Sequence, residues 1–192
     1  LRSRVENTGA VYTSLDHPKI YRRQRSSLRP DILADISKLP IKDNSFDSIL
    51  VLMVLAHLSN PFEGIKDVAR VMTKGGLLFL SSVENYPAHD LPDDYFRYRL
   101  SGLESLCKNA GLKIIEKHSW GNFWQVNAIN FNMYLMQSLK YFWDRTSNIF
   151  LIGFLLLLIY PLIFLSNIIA IIFTPFNFID SSKLINFIIA KK

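Results

Sequence analysis

The chain has 192 residues, of which 49% are hydrophobic and 20% charged, and a formal net charge of +6. These totals exclude a disordered chain and suit one domain with a sizeable core. The single cysteine, Cys107, excludes an internal disulfide and a cysteine metal cluster, and fits a reducing compartment. The apolar residues are unevenly spread, because residues 146–179 carry no charged side chain. Basic residues gather early, at Arg2, Arg4, Lys19, Arg22, Arg23, Arg25 and Arg29. Such a cluster could meet nucleic acid or anionic lipid, but with no aromatic or recognition motif beside it the favoured reading is a solvated loop. There is no signal-peptide pattern.

In chain order, residues 11–15 are a short β-prone run ending at Asp16. Residues 18–30 read as a loop or ragged helix, and residues 32–36 as another strand. Phe46 reads as core and Asp47 as a loop brace. Residues 48–53 are almost continuously apolar, as expected of a strand covered on both faces. A helix should follow, with Asn60 as cap, Pro61 at its first position and Glu63 completing a capping box. Its apolar stripe is Phe62, Ile65, Val68, Ala69 and Met72, and Gly75 and Gly76 should stop it. Residues 77–83 are a strand and residues 84–99 a loop. A second capping box, Ser101 with Glu104, predicts a helix ending at Gly111, with Cys107 as an inert core thiol. Residues 112–118 predict a further strand, with His118 at its far end. Strands alternating with helices indicate βαβ units and a parallel sheet, hence an α/β fold.

Two segments carry a resemblance. DISKLPIKDNSFD at residues 35–47 and RVMTKGG at residues 70–76 are similar to D-x-x-x-L-P-F-x-D-x-S-F-D and R-V-L-K-P-G-G. Those patterns belong to the small-molecule branch of the class I S-adenosylmethionine-dependent methyltransferases. The resemblance spans residues 10–125. It implies a Rossmann-like, mostly parallel sheet with an antiparallel final strand. It further implies that Asp16, with His17 beside it, binds the cofactor ribose, since a carboxylate accepts two hydrogen bonds from a diol. Asp35 and Ile36 would flank the adenine. Ligands in open α/β sheets sit beyond the carboxyl ends of the strands, which places Leu52 and Met53 at the cofactor crevice.

On the acceptor side the family often has Glu-His where this chain has Ala56-His57. The loop HDLPDDYFR, residues 89–97, is similar to the branch's H-x-x-P-x-D-Y-x-R. The resemblance thus implies that His57, Asp94, Tyr95 and Arg97 face the acceptor. His89 is the candidate base for a hydroxyl acceptor, and Arg97 could hold an acidic one. No His, Cys or acidic pair has metal-ligand spacing, so no metal is expected. The family's Gly-rich loop precedes its second strand, and here Gly9 is the only glycine before Gly64. The expectation is a sheet lacking its first strand, with the edges of the second and fourth strands unpaired, in a chain that is part of a longer protein.

Residues 122–143 are rich in Phe, Trp, Tyr and Met and read as an amphipathic helix suited to a membrane interface. Residues 149–173 are long and apolar enough to span a bilayer. Pro161 near their middle, with Ser166 and Asn167 after it, argues for two short helical arms. Residues 183–192 look like the family's final strand, pairing antiparallel beside the strand of residues 112–118. Both strands must then share one sheet, which excludes a single crossing and predicts a hairpin dipping into one leaflet. Lys140, Arg145, Lys183, Lys191 and Lys192 would flank it on the cytoplasmic side.

The expectation is a methyltransferase-like α/β domain of residues 1–125 and 181–192, interrupted by a membrane-associating insert of residues 126–180. Lipid would be met by residues 131–179. The function implied is methyl transfer from S-adenosylmethionine to a small or lipid-linked acceptor at the membrane surface, with no nucleic-acid partner. The alternative is a non-catalytic, membrane-tethered interaction module on a degenerate version of the fold.

Overall fold

The computed structural model describes residues 2–24, 29–146, 148–179 and 181–192. Of the early basic cluster, Arg25 lies outside the described residues. The fold has two sheets and a helical hairpin. Strands β1 (Leu15–Asp16) and β2 (Ile32–Leu33) form a two-stranded parallel sheet. Strands β3 (Phe46–Leu52), β4 (Met72–Val83), β5 (Lys113–Trp120) and β6 (Ile185–Lys191) form the larger sheet, in the order β3-β4-β6-β5. β3 and β4 are parallel, and β6 runs antiparallel between β4 and β5. The expected gap is present: among the described residues β3 pairs only with β4, and β1 only with β2.

The small sheet is shorter than its β-prone sequence, and Val11 is 93% exposed. Asp31 holds its start: the Ser14 amide and hydroxyl both donate to Oδ2, at 2.7 and 2.8 Å, and Arg2 donates to the same oxygen. The Ser14 amide, the Ser14 hydroxyl and Arg2 together pull the Asp31 carboxyl down to about 2. Short helices α1 (Arg2–Glu6) and α2 (Pro18–Gln24) flank these strands.

Helix α3 (Pro61–Val71) begins as predicted, with the Asn60 side chain accepting from the Glu63 amide. It stops earlier than predicted. Met72 already has extended backbone and opens β4, four residues before Gly76. The glycines instead sit in an irregular stretch of the β3–β4 ladder, where pairing shifts from Phe46–Met72 to Ser48–Leu77. Gly75 has φ +82°, and a Cβ on Gly76 would lie 3.0 Å from the Asp47 and Thr73 carbonyls. The glycines permit a close strand crossing, and the strand wins because Leu78 and Leu80 bury completely. Within the stripe, Phe62 is the exception and is 51% exposed. Asp47, expected to brace a loop, lies inside β3 and instead accepts from the Thr73 hydroxyl of β4 at 3.0 Å.

The two motif segments meet at Arg70. Its guanidinium donates to Asp67, Asp43 and the carbonyls of Ile41 and Leu39, while the Leu39 amide donates to Asp67. Arg70 therefore lashes the Leu-Pro loop onto α3 and fixes where Asp35 and Ile36 emerge.

Helix α4 (Leu100–Asn109) starts at Leu100 without a side-chain cap, so the Ser101 capping box does not form. Glu104 turns to Lys117 and Lys108. Cys107 is fully buried, as predicted, and burial pushes its thiol up to about 11. β5 runs on to Trp120, so His118 lies inside the strand. α3 and α4 cover one face of the sheet, where Val51, Leu78, Leu80, Ile188 and Ala190 join Ile65, Val68, Leu103 and Leu106. The expectation that β3 is covered on both faces fails: Leu50 and Leu52 are 48% and 42% exposed.

Between β5 and β6 the chain leaves the sheet as α5 (Phe123–Thr146) and returns as α6 (Ile149–Phe173). Trp120 pairs with Ile185, so both arms start from one point on the sheet. The arms pack through Leu139, Ile152 and Ile159, and Asn132 bonds both Ser166 and Asn167. α6 continues through Pro161 and does not split into two arms. Proline removes one helical hydrogen bond, and continuous packing on α5 outweighs that loss. The expected gathering of basic residues also fails. Lys140 and Arg145 are near the hairpin tip, whereas Lys192 at the end of β6 donates to Asn44 and the carbonyls of Arg70 and Met72. A straight helix of about 36 Å separates the two groups.

Candidate functional site

The carboxyl ends of the parallel strands carry most of the sequence candidates. Asp16 ends β1, and Asp35 follows its parallel neighbour β2 by two residues. The Ala34 amide donates to the Asp16 carbonyl at 3.1 Å, so the two strands present both carboxylates at the same edge. His17 stands between them. Its amide donates to Asp16 Oδ1 at 2.7 Å, and its Nε2 is 4.0 Å from Asp35 Oδ2. Asp35 Oδ1 also accepts from the Ser37 amide and hydroxyl, which lower its pKa, the amide most. Ile36 packs against the core and against Gly64 of α3, where a Cβ would come within 3.3 Å. At the end of β3, Leu52 and Met53 are 42% and 40% exposed, and Met53 has φ +59°. Left-handed backbone is rare for a large side chain. Here the Met53 amide is held on the Ser81 carbonyl at 3.0 Å.

The loop 84–99 is tied down at both ends by a residue the sequence reading passed over. Asn186, fully buried in β6, donates to Glu84 Oε2 at 2.7 Å and to the Tyr98 carbonyl at 2.9 Å, and accepts from Ser119 at 2.6 Å. The Tyr98 amide closes on the Val83 carbonyl at 2.9 Å, and the Tyr95 amide reaches the Ala56 carbonyl at 2.8 Å. Burial pushes the Tyr98 hydroxyl up to about 12.

Inside the loop, Arg97 and Asp94 hold each other. Arg97 also donates to the carbonyls of Tyr86, Pro87 and Phe96. The Arg97 guanidinium keeps the Asp94 carboxyl far below the usual carboxylate range. Asp94 also accepts from the His89 amide at 2.9 Å. These two residues therefore shape the loop around His89. Tyr95 is 47% exposed. His57 and His89 meet edge to face, with centroids 5.0 Å apart. Asp93 joins the two halves of the site: its carbonyl is 2.7 Å from His57 Nδ1, and its carboxylate accepts from Lys19 of α2 at 2.8 Å. Neither Lys19 nor Asp93 has a local sequence signal for that contact.

Beside this loop is a cavity of about 420 Å³ lined by Glu84, Asn85, Tyr86, Pro87 and Arg97 from the loop, and Asn130, Tyr134 and Gln137 from α5. The tyrosines and Pro87 offer apolar faces, and Glu84, Asn85, Arg97, Asn130 and Gln137 offer donors and acceptors. Only the hairpin's position on the sheet brings the α5 residues here.

Residues 3–80 match the family model of a methyltransferase domain. The fold agrees: a Galdieria sulphuraria protein provisionally assigned as a sarcosine dimethylglycine methyltransferase superposes with a TM-score of 0.52 at 14% identity, over 93% of this chain and 68% of that one. Over residues 3–80 the α/β part is thus similar to the methyltransferase domain of class I S-adenosylmethionine-dependent methyltransferases. Among similar proteins, a Campylobacter jejuni tRNA U34 carboxymethyltransferase is 30% identical over 95 residues, 44% of this chain and 33% of that protein. A ubiquinone/menaquinone biosynthesis C-methyltransferase of Chromobacterium violaceum is 39% identical over 51 residues, 27% of this chain and 21% of its own. The chain thus spans a third or less of the length of these curated methyltransferases.

Proposed function

We propose that this chain serves methyl transfer from S-adenosylmethionine to a small or lipid-linked acceptor at a membrane surface. The observation that carries the reading is the cavity shared by the loop 84–99 and α5, since α5 is one arm of an apolar hairpin. The carboxylates of Asp16 and Asp35 at one edge suit the hydroxyls and base of a nucleoside, with His17 and Ile36 beside them. The exposed Leu52 and Met53 offer an apolar wall. Bound there, the cofactor would supply an already activated methyl group. The chain's own work is then to align the acceptor and exclude water. Tyr95 and the cavity residues would position the acceptor, with Asp94 and Arg97 holding the loop in shape. His89, whose Nδ1 is 3.1 Å from the Pro87 carbonyl, would take a hydroxyl proton through Nε2, with His57 adjacent.

The hairpin supports the membrane part of the reading. The segment Ile149–Phe176 is long and apolar enough to cross a bilayer, and only 6% of its most apolar window is buried. Because Trp120 pairs with Ile185, both arms leave from one side, so the domain of residues 1–125 and 181–192 stays there while the insert enters lipid. The Campylobacter relatives are named for a tRNA substrate, but residues 149–173, bare and apolar, favour an acceptor presented by lipid. The test offers methyl-labelled S-adenosylmethionine with total lipid vesicles or with bulk tRNA. Label in the vesicle fraction supports the proposal. Label in tRNA, or complete release of the protein by alkaline carbonate, overturns the membrane acceptor. Absence of S-adenosylmethionine binding overturns the enzymatic reading altogether.

A further inference from the structure

Two imidazoles far apart in sequence meet at the carboxyl ends of β3 and β4. His57 ends a single 3-10 turn, Leu55–His57, just after β3, and His89 lies in the loop after β4. Their rings cross at 86°. Each has its Nδ1 against a backbone carbonyl, His57 on Asp93 at 2.7 Å and His89 on Pro87 at 3.1 Å. A carbonyl can only accept, so each Nδ1 carries the proton and each Nε2 keeps a lone pair. Proteins orient metal-ligating histidines in this way, by tying one ring nitrogen to a carbonyl and leaving the other to the ion. A third donor is close. Asp90 is exposed, in left-handed backbone with φ 55°. One ligand atom from each of His57, His89 and Asp90 lies within 4.8 Å of the other two.

We infer that His57, His89 and Asp90 form a binding site for a divalent first-row transition ion of the zinc type. Two imidazoles and one carboxylate are the ligand set of open zinc sites, which keep further positions for water or substrate. Bonds of about 2.0–2.2 Å require donors about 3.3 Å apart, so an ion must draw both imidazoles and the Asp90 carboxylate inward. Magnesium and calcium prefer oxygen-only shells and suit this set poorly. The site rests on three donor atoms and goes beyond methyl transfer. It also adjoins the acceptor cavity, because Tyr86 lines that cavity and contacts the His89 ring at 5.1 Å. An ion here would acidify a bound hydroxyl, so that His89 serves as a ligand in place of a free base.

The test needs neither cofactor nor acceptor. The full chain, purified in detergent without a histidine tag and stripped with chelator, is titrated with Co²⁺ and followed by its visible absorption. One equivalent should bind with the spectrum of a four- or five-coordinate ion, displaced by Zn²⁺ and not by Mg²⁺. His57→Ala, His89→Ala and Asp90→Asn should each weaken binding about tenfold or more. His118→Ala, at an exposed histidine on β5, should not. Asp90→Asn carries the test if a histidine variant misfolds, as judged by circular dichroism. Unchanged affinity in folded Asp90→Asn and His89→Ala, or displacement by Mg²⁺ as readily as by Zn²⁺, overturns the site. Methyl transfer could still stand in that event, since it is read by a separate assay.

Discussion

Arg97 grips Asp94 with two nitrogens of one guanidinium, Nη1 on Oδ1 at 2.5 Å and Nη2 on Oδ2 at 2.8 Å, and the Asp94 side chain is only 3% exposed. The pair stands where the resemblance implied acceptor contacts, and it explains how a loop of polar residues keeps one shape. Asp94→Asn strands a partly buried cation and should cost about 2–4 kcal/mol, less than a fully buried pair because part of Arg97 meets solvent. Urea denaturation in detergent measures it.

The same pair predicts an acid response. The folded pKa of Asp94 is depressed, so its contribution is fully present above the ordinary value of 3.8 and is lost as pH falls below it. Thermal stability of the unaltered chain should therefore drop between about pH 4 and pH 2, and that of Asp94→Asn should drop less. Parallel pH profiles of the two proteins would contradict the assignment.

Asn186→Ala removes three hydrogen bonds at once, to Glu84, Tyr98 and Ser119, from a fully buried site. The partners left behind are two acceptors and a hydroxyl in partly buried surroundings, so the cost should be about 2–4 kcal/mol. Amide exchange at both ends of the loop 84–99 should rise with it. An effect confined to β6 would show that the loop is held elsewhere.

Asp16 and Asp35 differ in a way that separates binding from folding. Asp35 also serves a turn through Ser37, whereas the Asp16 contact described is to the adjacent His17 amide. Asp16→Ala should weaken S-adenosylmethionine binding by about 10- to 100-fold, the worth of a hydrogen bond to a charged group, with little change in melting temperature. Asp35→Ala should weaken binding and lower the melting temperature together. Calorimetry on both variants reads the split.

In the hairpin, Asn132 accepts from Ser166 at 2.6 Å and donates to Asn167 at 3.0 Å. Polar pairs between helices in a lipid-like medium contribute about 0.6–2 kcal/mol. Asn132→Ala should lower the melting temperature in detergent by that measure while leaving the α/β domain's cofactor affinity intact. Unchanged melting would mean that apolar packing around Leu139, Ile152 and Ile159 suffices.

The sequence alone determined the features whose cause is local. Asn60 and Pro61 start α3 because a cap acts within one turn, and residues 149–173 are apolar by composition alone, although only packing on α5 carries the helix unbroken through Pro161. Asp16 falls at the end of β1 and Asp35 just beyond β2, as the β-prone runs before them indicate, although both strands are shorter than those runs. Tertiary structure decided the rest. The strand β4 captured Met72 and turned Gly75 and Gly76 from a helix stop into a crossing point, since pairing with β3 and burial of Leu78 outweigh a helix signal. The meeting of His57 with His89, the hold of Asn186 on the loop and the cavity against α5 join residues tens of positions apart. No short-range pattern records such contacts, because they exist only when the sheet brings its strand ends to one edge and the closed core holds them there.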